Sequence, residues 1–195
     1  MALETELFDE VIVSTDDSEI ASISREYGAT TPWIRSAQLS DDFATTISVM
    51  QDAVNQLRPP LGDDFDVCCI YPTTPLLKPT YVSLGFKILQ EGGWDYVISA
   101  VRNHVSPSRF FSLNSVGQVK MFDTNAELKR SQDLETTFHD AGQFYWGRSG
   151  LWSQGMSVFS SMTTIVEIPP WVTVDIDSLD DWHLAERLFV VQNTH

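Results

Sequence analysis

The sequence contains few basic residues. Its 195 residues include 12 Lys and Arg against 27 Asp and Glu, which gives a formal net charge of −15. Binding of a polyanion requires clustered Lys and Arg opposite the phosphates, so this balance argues against a nucleic-acid partner. A small phosphate ligand remains compatible with it, because acidic proteins bind nucleotides through a metal ion or a few well-placed cations.

Cysteine and long apolar runs are also scarce. The only cysteines, Cys68 and Cys69, are adjacent, and neighbouring strand residues point to opposite faces. This arrangement disfavours a disulfide or a shared metal site, and both are interpreted as buried small apolar residues. The longest apolar runs are too short to span a bilayer, and the N-terminal residues lack the pattern of a secretory signal. We therefore expect a cytoplasmic protein with no membrane partner.

Segments typical of strands and helices alternate along most of the chain. Strands are expected at residues 10–14, around 33–34, at 66–70, at 95–101, in TTIVEI and in WVTVDID. Helices are expected from Ser18 to Tyr27, along the spacing Phe43 to Leu57, from Pro79 to Gly92 and near the C-terminal end. This order predicts one α/β domain over residues 1–195, with a mainly parallel sheet and helices on both faces.

The alternation is interrupted after Val101. The stretch RFFSL-NSVG-QVKMF predicts a β-hairpin with Asn114 to Gly117 at its turn. A polar stretch follows it, up to Gln143. Residues 103–142 are therefore interpreted as a β-rich insertion within the α/β chain.

Two aspartates in VTVDIDSLDDWHLAE are the sharpest chemical feature. On a strand, Asp175 and Asp177 would share one face, at the end of the strand where open α/β sheets bind ligands. Carboxylates in this position suit Mg²⁺, which prefers oxygen ligands. The alternative is helix capping by Asp177 or Ser178 with Asp181, and both interpretations hold together if Ser178 provides the cap.

Three further stretches have a capping or turn explanation beside a functional one. VSTDDSEIA, with Asp16, follows the first expected strand and precedes a helix N-terminus that favours anions. LSDDFATT could hold a base or ribose, and the isolated Arg35 is a candidate phosphate partner. The loop Tyr71-Pro72-Thr73-Thr74-Pro75 could offer hydroxyls to a ligand.

The stretch RSQDLETTFHDAGQFYWG combines hydrogen-bonding groups with planar side chains. It contains Arg130, Gln132, His139, Asp140 and Gln143 beside a run of aromatic residues. Polyhydroxylated ligands are recognised by this mixture, although a polar loop leading into a strand is the simpler alternative.

In this order, these stretches resemble the sialic-acid-type cytidylyltransferases, which activate nine-carbon 2-keto sugar acids as CMP conjugates. The segments that carry the resemblance are FDEVIVSTDDSEIASISREYGA, PWIRSAQLSDDFATT, IYPTTPLL and VDIDSLDDWHLAE, and it extends from about Leu7 to Phe189. LSDDFATT and RSQDLETTFHDAGQFYWG look most like the pseudaminic acid branch. Tyr71 and Ala141 stand where the neuraminate branch tends to have Gln and Asn.

The resemblance implies a Rossmann-like, three-layer nucleotide-diphosphosugar transferase fold, with CTP and pseudaminic acid as substrates, Mg²⁺ as cofactor and a homodimer. Residues 103–142 would then be a dimerisation arm. The implied metal ligands are Asp175 and Asp177, with Arg35 as a further catalytic group. The implied nucleotide contacts are Arg35, Ala44, Thr46 and Asp16, and the implied sugar contacts are Tyr71, Thr73, Gln143, Tyr145 and, across the dimer, Arg130 and Gln132.

One family feature is not found in the sequence. Family members begin with a strand followed by a basic glycine-rich loop of the type PARGGSKR, which wraps the triphosphate, and these 195 residues contain no such segment. The expectation is a chain that starts one βα unit late and binds CTP weakly, since charge-assisted phosphate contacts contribute about 1.5–3 kcal/mol each. Two alternatives stay open: an impaired or inactive sugar-binding, dimerising module, and an N-acylneuraminate cytidylyltransferase.

Overall fold

A four-stranded mixed sheet forms the centre of the structure. The computed structural model describes residues 1–62 and 64–192. Within these ranges the strands are β1 (Asp66–Ile70), β2 (Tyr96–Arg102), β3 (Phe111–Leu113), β4 (Val119–Met121), β5 (Phe138–Arg148) and β6 (Thr163–Glu167). The α-helices are α1 (Ser18–Glu26), α2 (Thr46–Leu61), α3 (Pro79–Gly92), α4 (Ser149–Ser153) and α5 (Leu179–Gln192).

The central sheet has the strand order β1-β5-β2-β6. β5 pairs antiparallel with both β1 and β2, whereas β2 and β6 pair in parallel. Strands β1, β2 and β6 therefore run in one direction, and only β5 opposes them within this sheet. The predicted α/β architecture with mostly co-directional strands is confirmed, and the strand that departs from it is the one that returns from the insertion.

Helices cover both faces of this sheet, as predicted. One face carries Val97 and Trp146 and packs against Val82 and Leu89 of α3. The opposite face carries Ile98 and packs with Val54 of α2 and with Trp152 of α4. Adjacent residues of each strand thus belong to different cores, because strand side chains alternate between faces. The result is a three-layer arrangement.

The two cysteines follow the same alternation. Cys68 packs with the α3 core and Cys69 with the α2 core, and both thiols are free, as the sequence predicts. Burial raises the pKa of Cys68 well above its ordinary value and that of Cys69 to about 12. Both side chains are therefore neutral thiols near pH 7 and serve as small apolar core residues.

The N-terminal residues contribute to the α3 core. After a short 3₁₀ helix (Ala2–Thr5), Phe8 stacks on the indole of Trp146, with ring centroids 5.3 Å apart and planes 6° apart. The same indole donates a hydrogen bond from Nε1 to the carbonyl of Val82 at 2.9 Å. Trp146 therefore connects the beginning of the chain, α3 and β5.

The insertion contains the predicted hairpin. β3 and β4 pair antiparallel, with Phe111 opposite Met121 and Leu113 opposite Val119. The turn is closed by the side chain of Asn114, which accepts hydrogen bonds from the N–H groups of Val116 and Gln118. Gly117 adopts a φ of 82° there, which glycine reaches without a steric cost.

Two of the expected strands are not formed. Residues 10–14 make a single parallel bridge between Ile12 and Thr30, and residues 33–34 make none. The bridge consists of hydrogen bonds from Val13 N to the Thr30 carbonyl and from Thr30 N to the Val11 carbonyl. With one neighbour and partly exposed side chains, this apolar segment does not build a ladder among the described residues.

A third expected strand, WVTVDID, is also wrong. Pro169 and Pro170 precede it, and Pro170–Val172 form a 3₁₀ turn in place of a continuing strand. Proline lacks the N–H that a sheet ladder requires, which explains the break after β6. The residues that follow are extended but unpaired.

Helix α2 begins later than the apolar spacing predicts. Asp41 accepts a hydrogen bond from the N–H of Phe43 in a tight turn, and Thr45 caps the helix by accepting from Ser48 N at 3.2 Å. Phe43 therefore lies outside the helix and is exposed. No α-helix in residues 1–62 or 64–192 is long and apolar enough to cross a membrane.

Candidate active site

A cavity lies at the carboxyl ends of β1 and β2. Its volume is about 410 Å³. It is lined by Tyr71, Val101, His139, Asp140, Ala141, Gly142, Tyr145, Thr173 and Asp175. These residues come from four separate parts of the chain, which the fold brings together at the sheet edge where open α/β sheets bind ligands.

A wide bulge in β5 shapes one wall of the cavity. Opposite β2, the register passes from Ile98–Tyr145 to Ala100–Asp140, so that residues 141–144 face Ser99 alone. Ala141 and Gly142 are displaced towards the cavity, and Gly142 has a φ of 59°. Bulges of this kind redirect a strand and are frequent beside active sites.

Two tyrosines form a second wall. Tyr71 and Tyr145 meet edge to face, with ring centroids 5.6 Å apart. The Tyr71 hydroxyl shares a hydrogen bond of 2.6 Å with Thr46 Oγ1, and the Tyr145 hydroxyl donates to Asp140. Burial is the main cause that raises the pKa of both phenols, and for Tyr145 the hydrogen bond to Asp140 adds to it. Both therefore stay protonated and act as hydrogen-bonding groups.

The aspartate pair lies on the extended segment that replaces the expected strand. Val172 and Val174 are buried, while Asp175 and Asp177 are exposed on the alternate positions. Asp175 accepts a hydrogen bond from Thr73 Oγ1 at 3.1 Å and lines the cavity. Asp177 lies two residues further on and is not among the lining residues. Both carboxylates are exposed without a strand ladder, and only that of Asp175 lines the cavity.

The cap of helix α5 leaves both aspartates available. Ser178 N and Oγ donate to Asp181 Oδ2 at 2.8 and 2.6 Å, and Asp181 N donates back to Ser178 Oγ at 3.3 Å. This reciprocal pair is a capping box. The prediction that Ser178 caps the helix, with Asp181 completing the box, is confirmed. These hydrogen bonds, that from the Ser178 side chain first, lower the pKa of Asp181.

The carboxylates at the cavity would suit magnesium only if waters and substrate phosphates provided its other ligands. Among the described residues, no group of three or more His, Cys, Asp or Glu side chains converges as a metal cage. Magnesium, however, is usually held by one or two carboxylates, with waters and substrate phosphates completing its octahedron. Asp175, alone or with Asp177, could supply such carboxylate ligands, and Thr73 donates a hydrogen bond to the Asp175 carboxylate.

Arg35 and Asp16 form a separate cluster. The guanidinium of Arg35 donates from Nη1 to the Ser14 carbonyl at 3.1 Å and from Nε to Ser40 Oγ at 3.0 Å. Its Nη2 lies 3.5 Å from Asp16 Oδ1. Thr46 does not line the cavity but is bonded to Tyr71, which does, while Ala44 lies in the connection between Arg35 and Thr46. In residues 1–62 and 64–192, no hydrogen bond or ion pair joins Arg35 to Asp175.

Four of the six expected sugar contacts do not line the cavity, although one of them, Thr73, donates a hydrogen bond to the lining residue Asp175. Gln143 is completely buried and does not line it, because it is on the bulge with its Nε2 donating to the Ala141 carbonyl. Arg130 is exposed and paired with Asp133 through two hydrogen bonds of 2.8 and 3.1 Å. Gln132 is exposed beside it. The role of the last two across a dimer stays a prediction.

Sequence reasoning did not identify Ser99 and Thr173 as site residues. Ser99 is a lone polar residue inside an apolar strand, and that isolation is the only signal it gives. Thr173 lies two residues before Asp175, so the same spacing of two that singled out Asp175 and Asp177 also includes Thr173. His139 and Asp140 were part of a polar stretch, but nothing in their spacing showed that they line a cavity.

Two solved structures share the architecture of this chain. The chain superposes on CMP:2-keto-3-deoxy-manno-octonic acid synthetase complexed with CTP with a TM-score of 0.62 and 13% identity, covering 98% of this chain and 86% of the other. It superposes on 4-diphosphocytidyl-2C-methyl-D-erythritol synthase with a TM-score of 0.61 and 12% identity, covering 96% and 88%. At these identities the similarity establishes the architecture alone.

Sequence comparison gives the family. Residues 1–167 match the cytidylyltransferase family model, and the chain belongs to this family of nucleotidyltransferases. The pseudaminic acid cytidylyltransferase of Campylobacter jejuni serotype O:2 is 34% identical over 192 residues, covering 98% of this chain and 83% of that protein. N-acylneuraminate cytidylyltransferase B of Danio rerio is 32% identical over 181 residues, covering 92% of this chain and 41% of that protein. The resemblance inferred from the motifs is confirmed.

The capping box generates a pH-dependent prediction. We expect Asp181→Asn to lower the Tm at pH 7, because the negative charge that accepts three N–H and O–H donors at the start of α5 is removed. The folded-state pKa of Asp181 is below its ordinary 3.8. The stabilisation is therefore present above pH 3.8 and is lost as the pH falls through the folded-state value. Thermal melts of the wild type and of Asp181→Asn between pH 2 and 7 measure the difference in Tm between them.

Asp180→Asn is the matched control, since it removes the same charge from the same helical turn without breaking the box. We expect a smaller Tm change from it. Equal decreases in Tm for the two variants would contradict the role given to the capping box. So would a Tm difference between the wild type and Asp181→Asn that stays constant down to pH 2.

Proposed function

We propose that this chain transfers CMP from CTP to a nine-carbon 2-keto sugar acid of the pseudaminic acid type and releases pyrophosphate. The observation that carries the proposal is the position of Asp175: its carboxylate is oriented by Thr73 at the rim of a cavity formed at the carboxyl ends of β1 and β2. Family membership and 34% identity to a pseudaminic acid cytidylyltransferase supply the reaction type and the sugar class.

The cavity suits a polyhydroxylated ligand of this size. Its volume of about 410 Å³ is within the range of small-molecule sites, about 300–1,000 Å³. Tyr71 and Tyr145 offer planar apolar surfaces, while His139, Asp140 and Thr173 offer hydrogen-bonding groups. An ordered mixture of apolar planes and a few polar groups orients a sugar, because each hydroxyl of the correct isomer finds a partner.

The chemistry depends mainly on positioning. The anomeric 2-hydroxyl of the sugar acid attacks the α-phosphorus of CTP, the bond to pyrophosphate breaks and the hydroxyl proton is released. Magnesium, held by Asp175 and Asp177, would offset the phosphate charge when bound. Thr73 fixes the orientation of Asp175, and Tyr71 and Tyr145 hold the sugar against the bulge. The cluster of Arg35 and Asp16 faces the nucleotide, with Ala44 in the segment that follows Ser40. Alignment of the two reactants supplies the rest of the acceleration. Since CTP is the proposed donor, we place the reaction in the cytoplasm.

A homodimer is the proposed assembly. Phe111, Leu113, Val119 and Met121 form one face of the β3–β4 hairpin, and the first three are 58%, 64% and 62% exposed. A two-stranded hairpin is marginally stable alone, and apolar faces of this kind are normally covered. A second copy of the chain would cover it and would bring Arg130 and Gln132 towards the partner's cavity.

The dimer is tested at the hairpin face. We expect Leu113→Ser/Val119→Ser to convert a dimer of about twice 22.0 kDa into a monomer in light scattering coupled to gel filtration. Val116→Ser, at the turn, is the control, because this equally exposed residue lies outside the paired strands. A monomeric wild-type protein, or a double variant that stays dimeric, would refute the assembly.

The metal site is tested by conservative substitution. We expect Asp175→Asn to reduce kcat by about 100-fold or more, because loss of one charged ligand weakens both metal binding and phosphate orientation. Asp177→Ala should also remove the metal-dependent activity. Asp180→Asn, which changes the net charge equally, should leave kcat within about twofold. Retention of activity by Asp175→Asn and Asp177→Ala would show that the pair has only a structural role.

The reaction and the sugar preference are tested together by pyrophosphate release with CTP and Mg²⁺. We expect turnover with pseudaminic acid, and pseudaminic acid should outcompete N-acetylneuraminic acid. The reverse sugar preference would support the N-acylneuraminate alternative. Saturable sugar binding without pyrophosphate release would support the non-catalytic module instead.

A further inference from the structure

We propose that Ser99 is a positioning residue for the sugar-acid side of the site, and that it acts by holding the bulge of β5. The inference rests on the proposed function, since it concerns the same cavity. Ser99 does not line that cavity: it is completely buried in β2, on the far side of the bulge.

The hydroxyl of Ser99 accepts hydrogen bonds from backbone amides of the bulge, in place of the carbonyl acceptors of a regular strand pair. Its Oγ accepts hydrogen bonds from two consecutive backbone amides, Gln143 N and Phe144 N, each at 3.1 Å. Both residues are completely buried, so these amides have no access to bulk water. Because β5 has three more residues than β2 between the flanking pairs, strand pairing alone does not serve these amides.

The bulge in turn sets the geometry of the cavity wall. The carbonyl of Gln143 accepts a hydrogen bond from Tyr71 N at 3.1 Å, which ties the bulge to the loop that carries Thr73. Gly142 lies so close to the aspartate pair that a Cβ built on it would be 3.6 Å from Asp175 Oδ2. The amide of Gly142 is held by Asp140, which also accepts from Tyr145. A shift of the bulge therefore moves Tyr71, Asp140 and the surroundings of Asp175 together.

Most of the nucleotide side is not connected to this element. Arg35 and Asp16 are held by the Ser14–Asp16 segment and Ser40, none of which contacts residues 141–144 through a described hydrogen bond. Thr46 is joined to the bulge only indirectly, through Tyr71. Ser99 should thus act more strongly on the sugar acid than on CTP. A purely structural serine would instead lower stability while leaving the two substrates equally affected.

The test compares two buried serines. Ser99→Ala removes the acceptor from the bulge, and Ser149→Ala is the control, because Ser149 is equally buried and its Oγ accepts from Phe65 N at 3.2 Å at the other end of β5. We expect Ser99→Ala to reduce kcat/KM for the sugar acid by about 10-fold or more while the KM for CTP stays within about twofold. Ser149→Ala should leave both within about twofold.

Two further variants, Ser99→Cys and Ser99→Thr, test the inference if Ser99→Ala does not fold. Ser99→Cys preserves the volume but offers only a weak acceptor, so it should behave as the alanine variant. Ser99→Thr retains the hydroxyl and should recover most of the sugar-acid kcat/KM. Loss of activity in Ser99→Thr equal to that in Ser99→Cys would assign the effect to packing and would overturn the proposal.

Amide hydrogen exchange separates this inference from the proposed function. In Ser99→Ala the amides of Gln143 and Phe144 should exchange about 10-fold faster, while Tyr145, which pairs with Ile98, stays protected. If the wild-type chain shows no CMP transfer, the proposed function fails, and calorimetric sugar-acid binding by the same variants still decides the role of Ser99. Unchanged exchange at both amides, or unchanged sugar-acid kcat/KM and affinity, would overturn it.

Discussion

The reversed strand β5 is the constraint on which the rest of the structure depends. It is the sole strand partner of β1 among the described residues and the neighbour of β2 on its other edge, so the sheet is continuous only through it. Its consecutive residues Phe144, Tyr145 and Trp146 are buried in alternate cores, which ties α3 to one face and α2 with α4 to the other. The same strand then enters the cavity through its bulge. Stability and the shape of the site are therefore determined by one segment of 11 residues.

The regular part of this architecture is readable from the sequence because the responsible forces are local. Asp66–Ile70 and Tyr96–Arg102 are short apolar runs, and α1 begins where Asp17 caps it by accepting from Glu19 N and Ile20 N. The hairpin turn follows from the local preferences of Asn114 and Gly117. Strand, cap and turn each depend on a few neighbouring residues, so their patterns are sufficient for prediction.

The missed parts depend on partners that are distant in sequence. Residues 10–14 are apolar enough for a strand, but strand formation requires a neighbour on at least one edge, and within the described part of the chain they find only a bridge to Thr30. The direction of β5 and its bulge are likewise decided by pairing with residues 36 to 82 positions away. The period of two in the sequence singled out Asp175 and Asp177, of which Asp175 lines the cavity, whereas the only signal of Ser99 was its isolation inside an apolar strand.

The segment after Pro170 is not paired with a strand among the described residues, and this affects how Asp175 is held in place. A carboxylate on a strand is fixed by ladder hydrogen bonds on both sides, and moving it means breaking them. Asp175 is instead anchored by its buried neighbour Val174 below and by one hydroxyl, that of Thr73, above. Among the described residues no ladder hydrogen bond fixes its backbone, so the position of the carboxylate depends on these two contacts alone.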